Sequence, residues 1–235
     1  MTTGWRGGRS PAYPHYAIRE VFMDLMAKRF GRTRESLYRV INEIRAERLG
    51  NILLSTVVEQ GPKTDKGSLI LSVVIPWLEI VRMIEEDPAI VFQIDPRKWE
   101  ELIAGWYKKA GFDEVILTPR SADFGRDVIA IKHEVLSVRI IDQVKAYKPG
   151  HLVTANDVRA MAGVLSTDLS ATKGLVTTTS DFAPMIEKDP SIAPLVPYRL
   201  ELVNGSELRK RFVACLLPTT PPSPPKFALV GRKNR

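Results

Sequence analysis

The sequence predicts an α/β fold, a mixed sheet flanked by helices and preceded by a mainly helical N-terminal module. Three observations carry this expectation. Residues 95–178 read as helix, three consecutive strands, helix and strand, an order typical of α/β chains. Within that stretch, Asp95-Pro96 starts and Gly111 stops a helix whose apolar stripe is Trp99, Leu102, Ile103 and Trp106. Upstream, apolar residues recur at helical spacing in two successive segments.

The elements follow in order. Residues 1–15 are rich in Gly, Arg and Pro and read as a loose arm. Ile18, Val21, Phe22, Leu25 and Met26 form a first helical stripe, ended by Gly31. Thr33 caps a second helix carrying Leu37, Val40, Ile41 and Ile44. Arg29, Arg32, Arg34, Arg39, Arg45 and Arg48 on these helices read as a solvated face. Residues 51–58 (NILLSTVV) look like a strand, and 59–67 like its polar loop. The apolar run 69–75 meets Pro76, which suits the start of a helix bearing Trp77, Ile80, Val81 and Ile84. These elements define a helical module at 1–88, suited to DNA binding or dimerisation. Strands are expected near 114–118, 127–132 and 136–145, a helix at 155–165 and a strand at 174–178, within a second domain at 89–217. Residues 218–235 form a Pro-rich basic tail with the composition of a disordered segment.

Composition narrows the function classes. A chain of 235 residues with 44% hydrophobic content can bury one sizeable core, or one core and a small companion. The net charge of +7 suits a polyanionic partner, and the basic excess is strongest after residue 181. The single cysteine, Cys215, excludes an intramolecular disulfide and any Cys-based zinc site. Its apolar neighbours mark it as a small core residue. The N-terminus lacks the apolar stretch of a signal peptide. The longest apolar run, 68–81, contains Pro76 and Glu79 and falls short of the ~20 residues that span a bilayer. A soluble, cytoplasmic protein with no membrane partner is expected. His15, His133 and His151 have no spacing that suggests a site, and neither a Ser/His/Asp set nor a P-loop occurs.

The chemistry concentrates in SADFGRDVIAIKHEVLSVRIIDQVKAY, residues 121–147. Read as a hairpin, it places Asp127 where one strand begins and sets Gln143 and Lys145 two residues apart on the returning strand. Alternation puts these last two on one face, with Val144 on the other. A hard divalent cation needs oxygen ligands, and a phosphodiester needs its charge neutralised and a water delivered in line. A carboxylate, an amide oxygen and an ammonium supply both needs and suit a metal-dependent nuclease. Spacing alone leaves another account open, in which Asp127 caps a turn while Gln143 and Lys145 form the exposed face of an edge strand.

Motif order favours the first account. DPRKWEELIAGWYKKAGFDEVILTPRSADFGRDVIAI, DQVKAYKPGHLVTANDVRAMAGVL and ATKGLVTTTSDFAP together resemble the Mrr-like catalytic domain of the PD-(D/E)xK restriction-endonuclease superfamily, over roughly residues 88–190. The aromatic-Glu pair of its first helix appears as Trp99-Glu100, and its acidic glycine turn as Asp123-Phe124-Gly125-Arg126-Asp127. The Gln-x-Lys strand appears as Gln143-Val144-Lys145, followed by Ala146-Tyr147, and the later hydroxyl-rich strand as Gly174 through Ser180.

The resemblance implies a restriction-endonuclease-like core. It makes Asp127 the metal-binding aspartate, Gln143 the occupant of the usual acidic position, Lys145 the catalytic lysine and Glu100 the helix glutamate that supports the metal or its water. Two departures stand out: Phe124, where many members have Gly, and Gln143, which removes one negative charge and gives Glu100 more weight. Arg126, Tyr147, Lys148, Thr178, Thr179 and Ser180 are the expected DNA contacts. The implied cofactor is Mg²⁺, with Mn²⁺ as a substitute. The implied partners are DNA and a second copy of the chain, since two copies cut both strands. The implied role is restriction, with modified DNA as one option. Two rival readings are a non-catalytic DNA-binding protein on the same fold and a structure-selective repair or recombination nuclease.

Overall fold

The computed structural model describes residues 14–119 and 125–216. Most of the expected N-terminal arm, the Asp123-Phe124 part of the acidic turn and the Pro-rich tail lie outside the described residues. Two helices come first, α1 (Pro14–Arg29) and α2 (Arg34–Leu54). Thr33 caps α2 as expected, its hydroxyl accepting from the Ser36 amide at 3.2 Å. The Arg34 guanidinium ties the helices together, bonding Asp24 and, at 3.0 Å, Glu20, which also accepts from the Tyr38 hydroxyl. Arg29, Arg32, Arg39, Arg45 and Arg48 are all exposed.

The strand expected at 51–58 is absent. Leu49 and Ile52 are both buried at helical spacing, so Asn51 to Leu54 continue the face of α2 instead of alternating. The expected loop and the run after it form a hairpin, β1 (Val58–Thr64) and β2 (Gly67–Val73), followed by α3 (Ile75–Glu86) with Pro76 in its first turn. β1 gives no sequence signal because it is a sheet edge. Only its first residue is fully buried, and the edge tolerates Gly61 and Pro62. Because β2 pairs with a strand of the main sheet, the chain divides into units Met1–Asn51 and Ile52–Arg235, not at 88.

The remaining elements are α4 (Pro96–Lys109), β3 (Glu114–Leu117), β4 (Val128–His133), β5 (Ser137–Lys145), α5 (Ala155–Thr167), β6 (Lys173–Thr178), β7 (Leu200–Val203) and α6 (Gly205–Ala214). α4 has its expected ends. Asp95 caps it by accepting from the Arg97 amide at 2.8 Å, and Gly111 follows its end at φ 86°, a conformation an L side chain rarely adopts. The seven strands lie in sequence order, antiparallel from β1 through β5 and parallel from β5 through β7, with α5 as the crossover. β7 spans four residues, too few for alternation to show in sequence.

Both faces of the sheet are covered. Phe212 of α6 packs against Trp77 of α3 and Trp99 of α4, with ring centroids 5.6 and 5.8 Å apart. The Trp77 indole donates to the Leu102 carbonyl at 2.8 Å, so this aromatic core carries no unpaired ring N–H there. Val158, Met161 and Leu165 of α5 join Ile141 and Val176 in a second core. The strands therefore alternate between two apolar environments, and β5 does so across the residues of interest. Asp142 meets Tyr107 of α4, whereas Lys145 meets Asp157 of α5. Among the described residues no helix is long and apolar enough to cross a membrane.

Candidate active site

Asp127 sits at the junction of three strands. Its amide donates to the Asp142 carbonyl at 3.0 Å, and its carbonyl accepts from the Thr118 amide at 3.1 Å. Its carboxylate Oδ2 accepts from the Val144 amide at 2.6 Å, so the side chain is fastened between Gln143 and Lys145. Gly125, two residues earlier, has φ 76°, which lets the chain turn sharply into β4. Arg126 reaches back to α5, with Nη2 3.4 Å from Asp168 Oδ2, and Asp168 takes two further bonds of 2.8 Å from Arg139 of β5. The turn that delivers Asp127 is thus anchored to the far end of α5.

The second turn of α4 supplies Glu100. The Arg97 guanidinium Nη1 bonds the Glu100 carboxylate and, at 2.9 Å, the Thr118 carbonyl. Asp95, Arg97, Glu100, Thr118 and Asp127 line an open cleft of about 340 Å³. Glu100 and Asp127 are therefore brought together as expected. Gln143 and Lys145 do not line this cleft; they connect to it through the Val144 amide that Asp127 accepts.

Gln143 is partly buried, and its amide oxygen is wholly buried without a hydrogen-bond partner. A buried amide oxygen left unpaired costs about 1–3 kcal/mol, a cost that a donor or cation approaching that atom would relieve. Among the described residues no three His, Cys, Asp or Glu side chains converge on a metal-sized site. The available set is two carboxylates and one amide oxygen. All three are hard oxygen donors, the kind a divalent cation such as Mg²⁺ takes.

Lys145 Nζ lies 3.5 Å from Asp157 Oδ1. Asp157 belongs to the capping box of α5, where its carboxylate accepts from the Thr154 amide at 2.9 Å and from the hydroxyl at 2.7 Å. Against the cost of burial, these Thr154 bonds and then Lys145 hold Asp157 below the usual carboxylate range. The end of β5 is pinned independently. The Thr178 hydroxyl donates to the Lys145 carbonyl at 2.8 Å, and the Thr179 hydroxyl to the Tyr147 carbonyl at 2.7 Å.

Those bonds revise part of the expected DNA surface. Thr178 and Thr179 are buried, at 0% and 4% exposure, with hydroxyls turned to backbone carbonyls, so they position β5 and do not face a ligand. Ser180 is half-buried; its amide donates to the Thr178 hydroxyl and its carbonyl accepts from the Gly205 amide at 2.8 Å, bonds that do not engage its own hydroxyl. Arg126 is half-buried, with Nη2 near Asp168. Lys148 is exposed, and Tyr147 is half-buried with its ring 4.3 Å from that of His151.

Arg97, Asp142 and Asp157 escaped the sequence reading. Arg97 and Asp157 carry local signals, an i,i+3 pair with Glu100 and a Thr-x-x-Asp box. Asp142 breaks the apolar run of β5 on the face opposite Gln143. It is 1% exposed, and its Oδ2 accepts from the Tyr107 hydroxyl at 2.9 Å. Burial pushes Asp142 up to about 7, against the pull of the Thr177 and Tyr107 hydroxyls, while the charge on Asp127 pushes the same way as burial. Burial, and then Asp142, likewise raises Tyr107 well above an ordinary phenol.

A raised carboxyl stabilises the fold only while protonated. Its contribution is complete below 3.8 and is lost as pH rises through about 7. The metal-free protein should therefore lose up to about 1.4 kcal/mol of stability per pH unit across this window. Asp168 and Asp189, both held near about 2, act with the opposite sign and below it. Urea denaturation in EDTA at about pH 5 and pH 8 checks this. Asp142→Asn should flatten the difference, and an unchanged pH dependence in that variant would refute the assignment.

The family model described as restriction endonuclease, Mrr_cat, matches residues 91–212. No curated protein matches the chain. Among solved structures, the chain is similar to the DNA modification-dependent restriction endonuclease AspBHI, at 16% identity and TM-score 0.39, covering 62% of this chain and 37% of that one. It is also similar to the MspJI restriction endonuclease, solved in complex with a 27-mer oligonucleotide, at 15% identity and TM-score 0.37, covering 60% of this chain and 30% of that one. The chain thus matches only about a third of the length of these two structures. The family match takes in α4, β3 through β7 and nearly all of α6, more than half of the 235 residues, and the chain belongs to the Mrr-type restriction endonuclease family.

Proposed function

We propose that this protein is a divalent-cation-dependent DNA endonuclease with a restriction role, using Mg²⁺ and accepting Mn²⁺. The observation that carries the reading is the Asp127 carboxylate, bonded at 2.6 Å to the amide between Gln143 and Lys145 and sharing a cleft with Glu100. Asp127, Glu100 and the unpaired Gln143 oxygen are the residues that would hold the cation. Once bound, it supplies Lewis acidity at the scissile phosphate.

The remaining work belongs to the chain. The Lys145 ammonium, held from one side by Asp157, orients the attacking water and offsets the charge that builds on the phosphate oxygens. Asp127, tied by its amide, carbonyl and carboxylate, keeps its position without reorganising. Tyr147 and Lys148, just beyond β5, are the side chains proposed to meet the DNA backbone. The unit Met1–Asn51 and the basic tail are proposed to add affinity or to pair two copies, so that both strands are cut in one encounter.

The test is cleavage of methylated and unmethylated plasmid with Mg²⁺ and with EDTA, alongside branched DNA. Cutting of plasmid that requires the cation supports the reading. DNA binding without cutting under any divalent cation would make the protein a non-catalytic binder, and cutting confined to branched DNA would make it a repair or recombination nuclease.

A further inference from the structure

Arg97 has no role in the catalytic set above beyond holding Glu100, yet it points into the same cleft. Its side chain is 25% exposed, and the cleft it lines also carries Asp95, Glu100 and Asp127. Arg97 adds a positive charge to a lining that carries three carboxylates, beside the path of an entering phosphodiester. Only Nη1 is engaged, with the Glu100 carboxylate and the Thr118 carbonyl. Among the described residues, Nε and Nη2 make no hydrogen bond within the chain.

We infer that Arg97 is a phosphate-binding residue, gripping a non-bridging oxygen pair of the DNA backbone with Nε and Nη2. The inference rests on the nuclease reading and deepens it. Two features suit the guanidinium to the task. Its planar fork matches a phosphate, where a lysine offers a point charge. The two bonds from Nη1, to acceptors on α4 and at the end of β3, fix the plane of that fork before DNA arrives, so little freedom is lost on binding. One atom of Arg97 therefore holds Glu100 in the cleft while two others meet the substrate. The neighbouring Lys98 cannot substitute, because it is engaged by Glu101 and by the Ser55 carbonyl at 2.8 and 3.0 Å.

A role confined to positioning Glu100 makes a different prediction from contact with phosphate, and the two separate without any cleavage. The full-length protein is titrated onto a short fluorescein-labelled duplex in EDTA over a range of salt concentrations. Arg97→Ala should weaken binding roughly tenfold and lower the salt slope by about 0.9, the counterion release of one phosphate contact. Arg97→Lys should keep most of the slope and lose part of the affinity. Glu100→Gln should leave affinity equal or higher, and adding Arg97→Ala to it should still cost the same factor. A double variant that binds like Glu100→Gln alone shows that Arg97 only positions Glu100 and overturns the inference, as does an Arg97→Ala protein with wild-type affinity and slope. Thermal melting of each variant shows that it is folded. If the wild type neither binds nor cuts DNA, the nuclease reading falls with this one; if it does both and the variants match it, this inference alone falls.

Discussion

Asp127→Asn is expected to lower DNA cleavage by on the order of 10³-fold or more while leaving the fold intact. The asparagine amide oxygen can take over the bond that Asp127 Oδ2 receives from the Val144 amide. The backbone bonds of Asp127 to Asp142 and Thr118 do not depend on the side chain at all. What disappears is one negative charge at the point where β4 meets β5. Loss of activity with unchanged melting would therefore report on charge, not on misfolding. DNA affinity in EDTA should hold or rise, since a repulsive carboxylate has gone. Nicking assays across a cation titration check this, and an Asp127→Asn protein that cuts at the wild-type rate would remove Asp127 from the mechanism.

Lys145→Ala should reduce the turnover number by roughly 10²–10³-fold with little change in apparent DNA affinity. The backbone of Lys145 is held by the Thr178 hydroxyl and by the Thr179 amide, at 2.8 and 3.3 Å to its carbonyl, and alanine keeps both bonds. The truncation also leaves Asp157 without its cationic neighbour, but the Thr154 bonds still fix that carboxylate. Lys145→Arg should recover little, because a wide planar fork cannot occupy the position of an ammonium set 3.5 Å from Asp157. Single-turnover rates on plasmid measure the effect. Activity within a few-fold of wild type in Lys145→Ala would mean that another group orients the attacking water.

The parts of this chain that were legible in sequence are those where local chemistry and burial agree. α4 showed its ends through Asp95, Pro96 and Gly111, and its buried face through Trp99, Leu102 and Ile103. β4, β5 and β6 showed as apolar stretches because both faces of the sheet are covered. The β1–β2 hairpin was opaque for the converse reason, since an edge strand written VEQGPKT buries almost nothing. The site divided in the same way. Asp127, Gln143, Lys145 and Glu100 could be picked out by spacing and motif order. The hydroxyls of Thr178 and Thr179 looked like surface contacts because sequence cannot say that the crossover of α5 turns them inward onto the carbonyls of Lys145 and Tyr147. Asp142 was invisible as a partner of Tyr107, because 35 residues separate them and only packing of α4 on the sheet joins them.

That dispersal ties assembly of the proposed site to assembly of the fold. The Asp127–Val144 bond closes within one hairpin and can form early, from contacts local in sequence. Glu100 and Arg97 arrive only when α4 docks on the strands, and Lys145 gains Asp157 only after α5 has crossed to place β6 beside β5. No fragment ending before residue 157 carries every group, and a chain still emerging from the ribosome holds its charged residues in separate pieces. The proposed site is thus completed by the same packing steps that complete the core.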